Sequence, residues 1–315
     1  MAVESGRMED VGGQRPLRVA FVGQEVYFRQ CAMDGSADSV ASFFVDFRAA
    51  AQPGPLMGAL EDLDPDIVLV FRPEIIPQGL FGDLRAVTLG YLTEPLPRGR
   101  GRDHSDLDAR MSALRKVDPT NFDRIVSFDP LIAQTAAAVL HVWQSAPLPV
   151  ADCMFMDVRK RSDPPSLLFI GRSTEHREHM LGPIKQTQEV IHIGHGLFGA
   201  ALTRFLAAAD VQVNLHNNPY PTFENRVTIA LAAGHLVISE PLSPSHGLRA
   251  GVDYLEVQTP EQLLGVAEEI ATDRDAYAAV QAAGREQAER FRASRVYPPL
   301  LRAALEDVQS RGGRH

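Results

Sequence analysis

The sequence predicts an α/β protein made of two units, each built on a parallel sheet. Three observations carry this. From Phe205 to Leu248 the chain reads strand, helix, strand. Val211, Val213 and Leu215 alternate with polar neighbours, Phe223 to Ala233 is a helical run closed by Gly234, and His235 to Ser239 is a second apolar strand. Strands and helices alternate along the rest of the chain, the order that makes parallel sheets. Between Val150 and Ser166 this order loosens into a charged, proline-containing stretch, VRKRSDPPS, before Ser166 to Ile170 restarts it. The expected limits are a disordered arm over 1–16, a first unit over 17–155, a second over 166–295, and a closing helix and tail over 296–315.

Taken in order, Leu17 to Val22 is the first buried strand and closes at Gly23. Phe43, Phe44 and Phe47, followed by alanines, predict a packing helix. Leu56 to Leu63 is a short helix stopped by Asp64-Pro65. Asp66 to Phe71 and Val87 to Leu92 are strands, the latter running into Thr93-Glu94-Pro95. Pro97 to Asp103, PRGRGRD, is a flexible basic loop, either a solvated connector or a contact for acceptor or phosphate. A polar helix follows over His104 to Lys116, then a strand over Arg124 to Phe128 ending at Asp129-Pro130, then a helix over Leu131 to Leu140. In the second unit Thr259, Pro260 and Gln262 supply helix-start chemistry, with Leu263, Leu264, Ala267 and Ile270 on one face. A further helix covers about Arg274 to Phe291, and the last starts near Pro298-Pro299.

At 315 residues the chain suits two domains of about 150 residues each. A hydrophobic fraction of 45% and a charged fraction of 23% supply an ordinary globular core. The net charge of −9, with no dense Lys/Arg run, argues against nucleic acid as the partner. Cys31 and Cys153 suit thiols in a reducing compartment better than a disulfide. No apolar run reaches the roughly 18 to 20 residues of a membrane span, and the first sixteen residues lack a signal peptide's apolar core. The expectation is a cytoplasmic protein.

Ligands of open parallel sheets sit at the carboxyl ends of strands. In the second unit those ends carry Gly171-Arg172, His216-Asn217-Asn218 and the run from Glu240 to His246-Gly247. Arg172 and Arg177 could hold an anion, or belong to a mixed-charge surface helix with Glu175, His176, Glu178 and His179. Glu224-Asn225-Arg226 opens a helix whose free N–H groups attract anions, although Glu224 also suits simple capping. Gly194 to Gly199 matches Gly-x-Gly-x-x-Gly, but in mid-domain and with no acid ending the next strand, which weakens a dinucleotide reading. His192, His195 and His216 fit no metal-binding spacing, so no metal is expected. His216, at a strand end beside two asparagines, is the histidine most suited to a functional role. In the first unit Gly23, Glu25, Glu94 and Asp129 lie just past strand ends, and Glu94 is the best placed to act as a base.

Ala209-Asp210-Val211, Tyr220-Pro221, Ala230 to Gly234, Leu236-Val237-Ile238 and His246-Gly247 together resemble the C-terminal half of GT-B glycosyltransferases, especially the group 1 and spore-maturation-type families. The resemblance covers roughly residues 166 to 295. It implies two Rossmann-like domains facing a cleft, with a final helix crossing back to the first. It also implies a nucleoside-diphosphate sugar as donor on the second domain, an acceptor on the first, and no other cofactor. The residues expected to hold the donor are Arg172, Arg177, His195, Asn217, Tyr220, Glu224, Asn225, Arg226, Glu240, His246 and Gly247, with Glu94 and His216 expected at the chemistry. The Gly194 loop would border the nucleobase. The chain departs from the retaining group 1 pattern of two glutamates eight residues apart, since Pro221 and Ile229 stand there. That departure keeps a non-catalytic or isomerase-like relative open as an alternative. An NAD(P)-dependent oxidoreductase built on the Gly194 motif is a further one.

Overall fold

The computed structural model describes residues 15–34, 36–37, 39–98 and 105–311. Positions 1–14 of the expected arm, and the PRGRGRD loop after Arg98, lie outside the described residues. The first sheet comprises β1 (Leu17–Gly23), β2 (Ser36–Ala37), β3 (Val40–Asp46), β4 (Ile67–Phe71), β5 (Val87–Leu92), β6 (Arg124–Ser127) and β7 (Gln144–Ser145). Their order is β2-β3-β1-β4-β5-β6-β7, and of these strands only β2 runs antiparallel. The accompanying helices are α1 (Glu25–Phe28), α2 (Pro53–Leu63), α3 (Ser105–Leu114) and α4 (Ala133–Ala136). A strand covered on both faces has no solvent side, and β4 is buried at every position.

The second sheet comprises β8 (Leu167–Ile170), β9 (Val190–Ile193), β10 (Val211–Asn214), β11 (Leu236–Ser239) and β12 (Leu255–Glu256), in the order β12-β11-β10-β8-β9, all parallel. Between and after these strands run α5 (Glu175–Thr187), α6 (Gly199–Ala208), α7 (Asn225–Ala232), α8 (Pro260–Thr272), α9 (Ala278–Ala288) and α10 (Ala293–Arg311). The β10-α7-β11 unit is the strand–helix–strand read from the sequence. Gly234 ends α7 at φ +79°, and a side chain there would meet the Asp157 carbonyl at 3.0 Å. Thr259 caps α8 through the Gln262 N–H, while Gln262 reaches back to the Gln258 N–H at 2.7 Å.

Strand order places the site. In the first sheet the chain steps from β1 to β3 on one side and to β4 on the other. In the second it steps from β8 to β9 on one side and to β10 on the other. Each sheet therefore has a switch point, where neighbouring loops leave in opposite directions and open a crevice.

Three elements differ from the sequence reading. Phe43 and Phe44 belong to the strand β3, paired with β1 from Leu17 against Val40 to Gly23 against Asp46. The β-branched and aromatic run VASFFVD satisfies its backbone in that ladder, and the Arg18 and Arg29 guanidiniums cover the two rings at 4.9 and 5.5 Å. Phe47 lies just past the strand. The helix expected over Leu131 to Leu140 shortens to a 3-10 turn, Pro130–Ile132, plus α4. Buried Ile132, Ala136 and Leu140 hold it to the core while the chain turns away. The last helix begins at Ala293, so Pro298 and Pro299 lie inside it. The N–H bonds lost there are offset by burying Tyr297, Pro298, Leu300, Leu301 and Ala304.

That burial is against the first sheet. Tyr297, Leu300, Leu301 and Ala304 join one core with Val19, Phe21, Phe71 and Tyr91. Tyr297 meets the Phe21 ring edge-on at 4.7 Å and donates to the Cys31 carbonyl at 2.7 Å. Asp307 pairs with Arg124 of β6 at 2.5 Å. The C-terminal helix thus crosses back to complete the first sheet's core. The two chain crossings run side by side, with the Val150 N–H on the Phe291 carbonyl at 2.7 Å and the Ala293 N–H on the Val150 carbonyl at 2.8 Å. No helix among the described residues is long and apolar enough to cross a membrane. Leu301→Ala should cost about 2–5 kcal/mol of stability, read as a lowered urea midpoint. A loss below about 1 kcal/mol would show that α10 is dispensable to that core.

Candidate functional site

A cleft of about 550 Å³ opens between the carboxyl edges of the two sheets. Its first wall carries Gln24 and Tyr27 after β1, Arg72 after β4, Thr93 and Glu94 after β5, and Arg110 from α3. Its second wall carries Ile170, which ends β8, and Gly171 after it, the loop Gly194 to Leu197 after β9, and Thr222 to Arg226 leading into α7. Both switch points contribute. Of the residues expected from the sequence, Glu94, His195, Glu224, Asn225 and Arg226 line this cleft.

The second wall is stiffened from beneath by two guanidiniums. Arg177, buried over the Phe169 ring, donates to the carbonyls of Leu215, His216 and Arg172 at 3.0–3.1 Å. Burial, with Arg226 adding to it, lowers its pKa to about 10. Arg226 donates to Asn214 Oδ1 at 2.7 Å and to the Ile170 and Leu215 carbonyls at 3.0 and 3.3 Å. Burial pushes the Glu224 pKa up, but the charges of Arg226, Arg177 and Arg110 outweigh it and leave Glu224 below the usual carboxylate value. His216 does not reach the cleft. Its ring is buried with Nε2 on the Pro241 carbonyl at 2.9 Å and Nδ1 on the Thr222 hydroxyl at 3.1 Å. Burial lowers its pKa, so it stays neutral and holds the loop before α7.

On the first wall Glu94 pairs with Arg110 at 3.2 Å and lies 3.9 Å from Arg72. Burial raises its pKa, against the pull of Arg110 and Arg72. Arg72 sits at φ +63°, a left-handed conformation costly for a non-glycine residue, and is tied to Glu74 at 2.8 Å. Arg72 and Arg110 are absent from the sequence reading. Arg72 follows a strand as Glu94 does and the same logic reaches it; nothing in the polar helix α3 singles out Arg110.

The chain matches solved glycosyltransferase structures over nearly all of its length. HepE of Anabaena with UDP and glucose superposes with a TM-score of 0.60 at 10% identity, covering 92% of this chain and 100% of that one. AviGT4, a glycosyltransferase involved in avilamycin A biosynthesis, gives 0.56 at 14% identity, covering 95% and 100%. Sucrose-phosphate synthase from Thermosynechococcus elongatus gives 0.54 at 14% identity, covering 92% and 99%. The fold is GT-B. No protein-family model matches the chain, and no curated protein sequence matches it.

Several of the expected donor residues lie at the seam between the two halves of this GT-B chain. Asp106 of α3 reaches across to Arg172 at 3.3 Å, to Asn218 at 3.5 Å and to Asn217. Tyr220 donates to the Leu96 carbonyl at 3.4 Å and lies under the Arg98 guanidinium at 5.4 Å. Arg98 pairs with Asp129 at 2.8 Å and donates to the Pro221 carbonyl, 3.0 Å, and to Ser243 on the other half. Glu240 is buried behind the wall, one oxygen on His176 Nε2 at 2.7 Å and the other on the His216 N–H at 2.6 Å. His246 packs edge-on to Phe223 at 4.6 Å, and Gly247 turns at φ +84° against the Arg290 guanidinium. Burial lowers the His246 pKa to about 4.

Among the described residues no three His, Cys, Asp or Glu side chains converge as a metal-binding group, and His192 hydrogen-bonds the Gly171 carbonyl. The Asp129 carboxylate is fully buried, so removing its partner strands a charge. Arg98→Ala should cost about 3–5 kcal/mol in urea unfolding. A change under about 1 kcal/mol would class the pair with exposed ones.

Proposed function

We propose that this protein transfers a sugar, on the strength of the HepE complex a hexosyl group, from a nucleoside-diphosphate sugar to a hydroxyl acceptor. Residues 166–295 would hold the donor and 17–155 the acceptor. The observation that supports this most is the opposition of two walls across one cleft at both switch points. On one side, the N-terminus of α7 offers backbone N–H groups backed by Arg226. On the other stands Glu94. Bond cleavage puts negative charge on the departing diphosphate, and preorganised donors and cations stabilise it there. Arg172, beside Gly171 and exposed, adds a cation at the rim. The nucleobase would border the Gly194 loop near His195.

In the transfer the acceptor oxygen bonds to the anomeric carbon, the bond from that carbon to the diphosphate oxygen breaks, and Glu94 takes the hydroxyl proton. His216, Glu240 and Arg177 position the wall. Ile229 lines the cleft with an aliphatic side chain where the retaining pattern has its second glutamate. This supports chemistry that does not lean on a glutamate pair. The oxidoreductase reading loses ground at the Gly194 motif. A dinucleotide fingerprint uses its third glycine for close helix–strand packing, yet a Cβ at Gly199 would meet nothing within 4 Å.

Thermal shift against UDP-, GDP- and dTDP-sugars and NAD(P)H tests the reading. One sugar nucleotide should raise the melting temperature, EDTA should leave transfer intact, and Arg172→Ala should cut turnover about 100-fold, or ~3 kcal/mol. A shift with NAD(P)H alone would overturn it. Glu94 must lose its proton to act, and burial has raised its pKa. The rate should therefore climb with pH through a value above the ordinary 4.5. Glu94→Gln should erase that limb and lower kcat by about 10²–10⁴. A Gln variant with wild-type kcat would favour a front-face retaining mechanism that does not use this carboxylate.

A further inference from the structure

The cleft does not end at Glu94. Arg72, Thr93, Glu94 and Arg110 also form the mouth of a side pocket of about 180 Å³ that runs between the end of β5 and α3. Beyond the mouth its walls are aliphatic: Leu92, Leu96, Ala109, Ala113 and Leu114. The charges of the described residues around it are matched in pairs, Arg72 with Glu74 at 2.8 Å and Arg110 with Glu94 at 3.2 Å, so these residues offer no net charge to an ionic ligand. The Thr93 hydroxyl is buried at the junction and has no hydrogen-bond partner among the described residues. That hydroxyl is closed off from the pocket, so the polar groups that meet a ligand at the mouth are the Glu94 carboxylate and the Arg72 and Arg110 guanidiniums.

We infer that this side pocket binds the acceptor, and that the acceptor is a neutral alcohol with a compact hydrocarbon body rather than a sugar or an ionic molecule. A cavity of about 150 Å³ with apolar walls holds a benzene ring, so 180 Å³ suits a body of about six to eight carbons. The hydrocarbon lies among the leucines and the hydroxyl sits beside Glu94, facing the cleft. The inference rests on the proposed transfer for its chemistry. The alcohol oxygen forms the bond to the anomeric carbon, its proton passes to Glu94, and the nucleoside diphosphate leaves with the electron pair of the broken carbon–oxygen bond.

Two measurements separate this inference from the transfer itself. Saturation-transfer NMR on the protein alone, with 1-hexanol, benzyl alcohol, glycerol and glucose as probes, reads the pocket without a donor. The first two should bind, and the polyols should not. Ala113→Phe fills the pocket from α3, and Ala109→Trp fills it from an exposed position where folding is not at stake. Each should weaken hexanol binding at least tenfold while the thermal shift with the sugar nucleotide keeps its wild-type size. Mass spectrometry should then find a hexyl glycoside with the wild type and only donor hydrolysis with the variants. Hexanol binding that is absent, or equal in the wild type and both variants, overturns the inference. So does preferential transfer to glucose. A normal alcohol result with no response to any sugar nucleotide overturns the proposed transfer and the acceptor role with it, leaving an alcohol-binding pocket.

Discussion

The second wall of the cleft depends on how the carboxyl edge of a parallel sheet satisfies its carbonyls. At that edge the ladder stops, and the last carbonyls need partners if they are buried. Arg177, from the first turn of α5, and Arg226, from the first turn of α7, supply them. Between them they bind the carbonyls of Ile170, Arg172, Leu215 and His216 and the Asn214 side chain. The benefit is mutual, because a buried guanidinium is tolerated only when its donors are used. The loops after β8 and β10 are thereby held by the helices that follow them. Rigid loops at a switch point are what a preorganised anion site requires. The two arginines also disfavour each other, and Glu224 offsets this from between the helix start and the cleft.

Much of this was legible in the sequence. Apolar runs fixed the strands, and turn residues fixed their ends; a strand end named Glu94, the glycine motif His195, and the start of α7 Glu224, Asn225 and Arg226, all of which line the cleft. Sequence position at a strand end does not say which side of the edge a side chain leaves from. Arg177, His216 and Glu240 were therefore named with the cleft residues, although all three point into the protein. The β3 aromatics misled for another reason. Phe43, Phe44 and Phe47 have helical spacing, but β1 had an open side, and the ladder outweighed local pattern. Contacts between halves were out of reach. Arg98 meets Ser243 across 145 positions and Asp106 meets Asn217 across 111, and no local pattern encodes such pairings.

The seam between the halves is uneven, and this bears on how the cleft could work. At the paired crossings backbone hydrogen bonds join Val150 to Phe291 and Ala293, with Asp152 held by Arg292 and Ser294, and along α10 the buried face is continuous with the first core. Nearer the cleft the seam is polar. There the Arg98–Asp129 pair is largely removed from water, whereas the Arg172 side chain keeps 66% of its exposure in its pairing with Asp106. An exposed pair contributes at most about 1 kcal/mol, and a buried one broken on one side costs several times that. The two closures therefore differ in how readily they open. If a diphosphate is the ligand, Arg172 can exchange the Asp106 carboxylate for phosphate oxygens of the same charge sign and similar geometry. Arg98 would stay in place through that exchange. Donor entry would then require rearrangement at the rim only, with the seam beneath it closed and the wall held by Arg177 and Arg226 unmoved.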